Sequence, residues 1–252
     1  MKFIGIIPAR YGSSRFPGKP LAILGGKTVI QRVYEQVKQA LNDVYVATDD
    51  NRIYDHVNSF GGRAVMTSED HRSGTDRCYE AYKNIGEECD VIINIQGDEP
   101  FIRVSQINSI MECFNDSSTQ IATLVKPFVA TDGLVALENV NSPKVVVDKQ
   151  MNALYFSRSI IPYFRNKDKS EWLSNHVYYK HIGMYAYHAE VLKQITLLDE
   201  SELERTESLE QLRWLENGYK IKVGISDVET IGIDTPDDLM RAEQYLKTFS
   251  ND

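Results

Sequence analysis

The sequence predicts an α/β protein, a doubly wound and mostly parallel sheet with a smaller inserted α+β subdomain. Three observations carry this. Strand-length apolar runs alternate with helix-period segments five times between residues 3 and 125. The run Val91-Ile92-Ile93-Asn94-Ile95 is almost continuously apolar, as a strand buried on both faces of a parallel sheet should be. Beyond Pro127 the rhythm changes to closely spaced strands and irregular loops. The core is therefore placed at 1–126 and 201–252, with the subdomain at 127–200.

The first strand ends at Pro8 and opens into a loop holding Arg10, Gly12, Ser13, Ser14, Arg15, Gly18 and Lys19. This composition suits a polyphosphate cradle. Small residues let backbone N–H groups approach phosphate oxygens, the cations supply charge, and Pro17 and Pro20 limit collapse of the empty loop. A solvated basic turn is the plain alternative. Two common phosphate motifs fail here. Five residues, not four, separate Gly12 from Gly18, Pro20 stands where a P-loop has its metal-binding hydroxyl, and no glycine spacing fits a dinucleotide fingerprint.

A helix follows from Thr28 to Leu41, then a strand, Val44-Tyr45-Val46-Ala47, and a short helix closed by Gly61-Gly62. Asp49 and Asp50 fit an N-cap there. Ala64-Val65-Met66 reads as the third strand, and Ser73-Gly74-Thr75-Asp76-Arg77 opens a helix running through Tyr82 and Ile85. The fourth strand ends in Gln96-Gly97-Asp98-Glu99-Pro100. Ligands of open α/β sheets collect beyond the carboxyl ends of the strands, which puts Asp98 beside the cradle, where a carboxylate would suit magnesium. A cap on the turn before Pro100 is the alternative. A helix marked by Val104, Ile107, Met111 and Phe114 and a strand from Ile121 to Val125 complete the series, with right-handed crossovers expected.

In the subdomain, Val145-Val146-Val147 and Ala153-Leu154-Tyr155-Phe156 suggest a hairpin. His181 and Tyr185, four apart on a strand, face the same side. A single helix is expected to carry Leu209, Leu212 and Leu215 on one face and Glu207, Glu210, Gln211 and Arg213 on or near the other. At the last helix start Thr235 is the N-cap, Pro236 the first helical residue and Asp238 the partner in a capping box. Asp234, placed at a strand end, has no such structural duty.

A net charge of −8 argues against nucleic acid as a partner, and a cationic loop on an acidic chain suits a small anion. Cys78, Cys89 and Cys113 have neither disulfide nor zinc spacing, which favours a reduced, cytoplasmic setting. No apolar run approaches the roughly 18 residues of a membrane span, and Met1-Lys2 leads directly into a strand without a signal-peptide core. No membrane partner is expected.

The stretch Ile7 to Leu21 resembles the N-terminal signature of the nucleotidyltransferases that activate acidic sugars with CTP, most closely those acting on 3-deoxy-manno-octulosonate (Kdo). Five further segments are similar to that family's boxes, in its order: Gln96 to Pro100, Tyr155 to Pro162, His181 to Tyr187, Glu207 to Arg213 and Ile231 to Leu239. The resemblance implies a Rossmann-like nucleotidyltransferase fold in which a Kdo hydroxyl attacks the α-phosphorus of CTP, giving CMP-Kdo and pyrophosphate for lipopolysaccharide biosynthesis. It assigns Arg10, Gly12, Ser13 and Lys19 to the phosphates, and Ser73, Gly74 and Arg77 to the cytosine. The sugar falls to Arg15, Gln96, Arg158, His181, Tyr185, Glu210 and Gln211, with Glu207 as a further candidate. Asp98 and Asp234 are the implied Mg²⁺ ligands, and with Arg10 and Lys19 they form the catalytic group. A sugar-binding and homodimer-forming role for the subdomain is likewise implied. Arg72 and His188 fall at positions expected to vary, which leaves 8-amino-Kdo or sialic acid as alternative substrates. No side chain stands out as a general base, His71 being the nearest candidate. A non-catalytic nucleotide-binding domain and a nicotinamide oxidoreductase are the rival classes; the intact Lys19, Asp98 and Asp234 disfavour the first and the missing glycine fingerprint the second.

Overall fold

The computed structural model describes residues 1–228 and 231–249. The chain divides into two compact units, one of Met1–Ile107 with the C-terminal segment from Ile231, the other starting at Asn108. In the first, β1 (Phe3–Ala9) is followed by a small hairpin of β2 (Ile23–Leu24) and β3 (Lys27–Thr28). Helix α1 (Val29–Lys38) starts where the Thr28 hydroxyl accepts from the Gln31 N–H, and it buries Val29, Ile30, Val33, Tyr34 and Val37. β4 (Val44–Thr48) is buried throughout, α2 (Asn51–Ser59) is capped by Asp50, and β5 (Ala64–Met66) lies beside β4. Helix α3 (Gly74–Ile85), capped by Ser73, leads to β6 (Val91–Asn94) and α4 (Val104–Glu112).

Strands β6, β1, β4 and β5 pair in that order, all parallel. Ile4, Ile6, Ile7 and all of β4 and β6 are buried because helices cover the sheet, which is why these strands read as unbroken apolar runs. The parallel register also brings the carboxyl ends of β1 and β6 together. Asn94 pairs with Ile6, and the Ile95 N–H donates to the Ile6 carbonyl at 3.0 Å.

The second unit holds β7 (Ile121–Pro127), α5 (Gly133–Glu138), β8 (Lys144–Val147), β9 (Ala153–Ser157), α6 (Trp172–Asn175), β10 (Tyr179–His188), α7 (Ala189–Ile195), α8 (Glu202–Glu207), α9 (Gln211–Glu216) and β11 (Ile221–Ile225). The boundaries of this unit differ from the expected 127–200, since β10, inside that range, pairs antiparallel with β7, which also pairs parallel with β11. The expected hairpin is β8 with β9. The single helix expected to carry Glu207 together with the leucines is corrected: Ser208, at φ +52°, ends α8 after Glu207, while Leu212 and Leu215 belong to α9, which begins at Gln211. A capping box between Ser201 and Glu204 fixes where α8 starts, so its last turn falls before the leucines that suggested one face.

Helix α10 (Pro236–Phe249) closes the first unit. Ile233 and Ala242 are buried with Leu24 and Val29, with Phe16 and Leu239 against them. This packing carries Asp234 to the β1 loop. Asp234 lies in an irregular segment rather than at a strand end, and the neighbouring Ile233 N–H donates to the Asp98 carbonyl at 2.9 Å. The cap forms as the sequence indicates, with the Asp238 carboxylate accepting from the Thr235 N–H and hydroxyl, both at 2.8 Å. Burial opposes the Asp238 charge, but hydrogen bonds from Thr235, Arg241 and the Asp234 N–H outweigh it and hold the carboxyl at about 2. A depressed folded-state pKa stabilises above the ordinary aspartate range, and that stability disappears as pH falls from about 4 to about 2. Asp238→Asn should therefore lower the melting temperature by about 2–4 °C at pH 7, the worth of one cap. The gap from the parent should close by pH 2; an equal gap at both pH values would mean the charge is not the source.

Candidate active site

The carboxyl ends of β1 and β6 border an open cleft of about 290 Å³ in the first unit. Its wall contains Arg10, Arg15, Lys19, Arg72 and Arg77 against two carboxylates, Asp98 and Asp234. Five cations over two anions, on a chain of net charge −8, concentrate positive potential at this one place. Ser13, Ser73, Gly74 and Gln96 also line it; Gly12 does not.

Lys19 is the electrostatic centre. Its ammonium donates to Asp98 Oδ2 at 2.7 Å and to Asp234 Oδ1 at 3.1 Å, with only 13% of its side chain exposed. Arg15 adds a second cation 3.3 Å from Asp234. The two carboxylates come from segments 136 positions apart, and one ammonium reaches both. Among the described residues no three His, Cys, Asp or Glu side chains gather into a metal-binding group. A hard divalent ion held by one or two carboxylates and completed by phosphate oxygens is the usual arrangement for Mg²⁺, and Asp98 with Asp234 fit that donor chemistry.

Two close approaches shape the cleft. Gly18 has φ +72°, and its N–H donates to the Tyr11 carbonyl at 2.9 Å, closing the loop. Gly97 lies on β1, where an added Cβ would stand 2.7 Å from the Pro8 carbonyl oxygen, a main-chain atom that cannot swing aside. Gly97→Ala should therefore cost about 1–3 kcal/mol, visible as a fall of roughly 3–10 °C in thermal unfolding. An unchanged melting temperature would show that the 96–98 turn does not rest on β1.

At the other side of the cleft, the Ser73 hydroxyl accepts from the Asp76 N–H and Gly74 begins α3. Arg77, 4% exposed, donates to Thr67 Oγ1 and to Asp49 Oδ2, both at 2.7 Å, so it ties α3 to the end of β4 whatever else it meets. Asp50, not Asp49, is the α2 cap. His71 lines the cleft with its Nε2 held by Glu80. Arg72, read from sequence only as a variable position, lines it too, and a charged side chain just before a helix cap was the available signal.

The remaining sequence-assigned residues lie in the second unit. His181 Nε2 is 3.0 Å from Thr123 Oγ1, with its ring against Phe156 and Tyr185. Enclosure pushes the imidazole down to about 3, so it is neutral near pH 7, and burial raises Tyr185 well above its ordinary value. Tyr185 packs edge-on against Trp214. Gln211 Nε2 and Trp214 Nε1 are buried without a hydrogen-bond partner among the described residues, polar atoms that a hydroxylated ligand or water would satisfy. Glu210 is engaged by Arg213 at 2.9 Å. Arg158 donates from Nε, Nη1 and Nη2 to the carbonyls of Glu207, Val140 and Ser208. These bonds tie the Arg158 guanidinium to Val140 and to the α8–α9 junction, where Ser208 is left-handed.

A cytidylyltransferase family profile matches residues 4–221. A 3-deoxy-manno-octulosonate cytidylyltransferase of Bacteroides thetaiotaomicron is 70% identical over 99% of this chain and 100% of its own length. One of Phocaeicola vulgatus is 71% identical over 98% of each chain. The solved structure of a CMP:2-keto-3-deoxy-manno-octonic acid synthetase complexed with CTP superposes with a TM-score of 0.90 at 42% identity, covering 99% of this chain and 100% of that one. The mostly parallel α/β architecture with its loop, carboxylates and full-length matches places this chain in the 3-deoxy-manno-octulosonate cytidylyltransferase family.

Proposed function

We propose that this protein joins CMP to Kdo, using CTP and releasing pyrophosphate. The observation that carries the reading is Lys19 held between Asp98 and Asp234 at the mouth of a cationic loop. A new bond forms between the sugar hydroxyl oxygen and the α-phosphorus as the bond to the β-phosphate oxygen breaks. Pyrophosphate leaves, and the hydroxyl proton passes to solvent. Such transfers depend mainly on positioning and charge neutralisation, which Arg10, Arg15 and Lys19 supply to the phosphates. Mg²⁺, held by Asp98 and Asp234, would supply further neutralisation of the triphosphate and acidify the attacking hydroxyl. Ser73 and Gly74 stand at a helix start suited to the base, and the polar groups around Tyr185 and Gln211 to sugar hydroxyls.

Cytoplasmic supply of an activated sugar for lipopolysaccharide accompanies this reading. Among the described residues no helix is long and apolar enough to cross a membrane. A homodimer is also part of it, supported by exposed apolar side chains of the second unit, including Val135 at 85% and Tyr163 at 76%. Light scattering on the purified protein tests that part. The function is tested by pyrophosphate release with Mg²⁺ and CTP, comparing Kdo, 8-amino-Kdo and sialic acid, with ATP, GTP and UTP as controls. Release confined to CTP with Kdo is expected; release with another acid only would reassign the sugar, and none with any pair would refute the reading.

A further inference from the structure

The loop that presents Arg10, Ser13, Arg15 and Lys19 to the cleft is shaped by a residue outside the cleft lining, Tyr11. Its carbonyl accepts from the N–H of Ser13 at 3.0 Å and of Gly18 at 2.9 Å. Its ring lies on Gly18, where an added Cβ would meet ring atoms at 3.0–3.1 Å. The guanidinium carbon of Arg52, in the first turn of α2, is 3.3 Å from the centre of the same ring. Arg52 is itself held by Asp50, from Nε at 2.9 Å and Nη2 at 2.6 Å, and Asp50 also accepts from the Arg52 N–H at 2.9 Å as the α2 cap. An exposed ion pair two residues apart would explain the Asp50 contact but not the stacked ring. A planar guanidinium fixed by a carboxylate and laid over an aromatic face is a defined geometry that lysine cannot reproduce.

We propose that Arg52 is a positioning residue for the triphosphate loop, acting through Tyr11 to hold the loop in its binding shape before the nucleotide arrives. The proposal rests on the CTP-dependent reading above. Without Arg52 the loop spends part of its time in other shapes, and apparent affinity falls by the fraction lost. Once CTP saturates the site, its phosphates hold the loop, so turnover is little affected.

The test compares the parent, Arg52→Ala and Arg52→Lys in full-length protein. Arg52→Ala should raise KM and Kd for CTP about fivefold, the worth of one exposed cation–ring contact, with kcat within about twofold. KM for the sugar should stay unchanged, and Arg52→Lys should recover part of the loss. Tryptic cleavage after Arg15 should be faster in Arg52→Ala, with saturating CTP restoring protection. An unchanged KM for CTP and unchanged cleavage would overturn the proposal. So would a parallel loss of kcat, both KM values and melting temperature, the mark of general destabilisation. If the parent itself neither binds nor turns over CTP, the functional reading fails, while the nucleotide-free cleavage comparison still decides whether Arg52 orders the loop.

Discussion

Asp98→Ala is expected to reduce pyrophosphate release by on the order of 10³-fold while leaving the fold intact. The two halves of that expectation come from different atoms of one residue. The Asp98 carbonyl, which accepts from the Ile233 N–H at 2.9 Å, joins the end of β6 to the segment before α10, and the substitution keeps it. The carboxylate is 30% exposed and contacts Lys19, so its loss opens no cavity in the core. What disappears is one of the two anionic groups on the cleft wall. Asp98→Asn refines the test, since its amide oxygen can still accept from Lys19 but carries no charge. Both variants should melt within about 2–4 °C of the parent, because Lys19 keeps its contact with Asp234 when the Asp98 charge is lost. Activity of the asparagine variant within tenfold of the parent would show that the charge is not used, and near-normal activity of the alanine variant would remove the Asp98 assignment.

The sequence was most informative where burial alone decides the outcome. β4 and β6 are buried along their whole length, so their apolar runs announced them. Thr28, Ser73 and Thr235 were readable as helix starts because a cap is a contact over three residues. The joining of Lys19 to Asp98 and Asp234 spans 79 and 215 positions, and only family resemblance and the rule about strand ends pointed to it. Features decided by tertiary partners were not legible. The run from Glu207 to Leu215 keeps helical spacing across the left-handed turn at Ser208 that separates α8 from α9. Nothing in the local sequence signals that Arg158 donates to main-chain carbonyls, or Arg77 to Thr67 and Asp49. The contact of Arg52 with Tyr11 joins two exposed or half-buried residues, where no hydrophobic period exists to betray a pairing. β11 alternates Ile221, Val223 and Ile225 with Lys222 and Gly224, so its strand period was present in the sequence, while its pairing with β7 was not.

Lys19→Met should be as damaging to turnover as loss of Asp98, but it should have the opposite effect on divalent cations. In the nucleotide-free protein the Lys19 ammonium neutralises Asp98 and Asp234 together, at 2.7 and 3.1 Å. A cation seeking those oxygens has to compete with an ammonium that is already hydrogen-bonded and mostly screened from water. Triphosphate offers Lys19 an alternative anion, so nucleotide and divalent cation should each strengthen binding of the other, as linkage requires. Methionine keeps much of the lysine's length and packing while removing the competitor. Mn²⁺, followed by electron paramagnetic resonance without nucleotide, should bind Lys19→Met about tenfold more tightly than the parent. The enhancement that CTP gives to Mn²⁺ binding should shrink correspondingly, even though pyrophosphate release falls by on the order of 10³-fold. Equal Mn²⁺ affinity in the two proteins would mean that the ammonium does not compete for the carboxylates. Lys19 would then act on the phosphates alone.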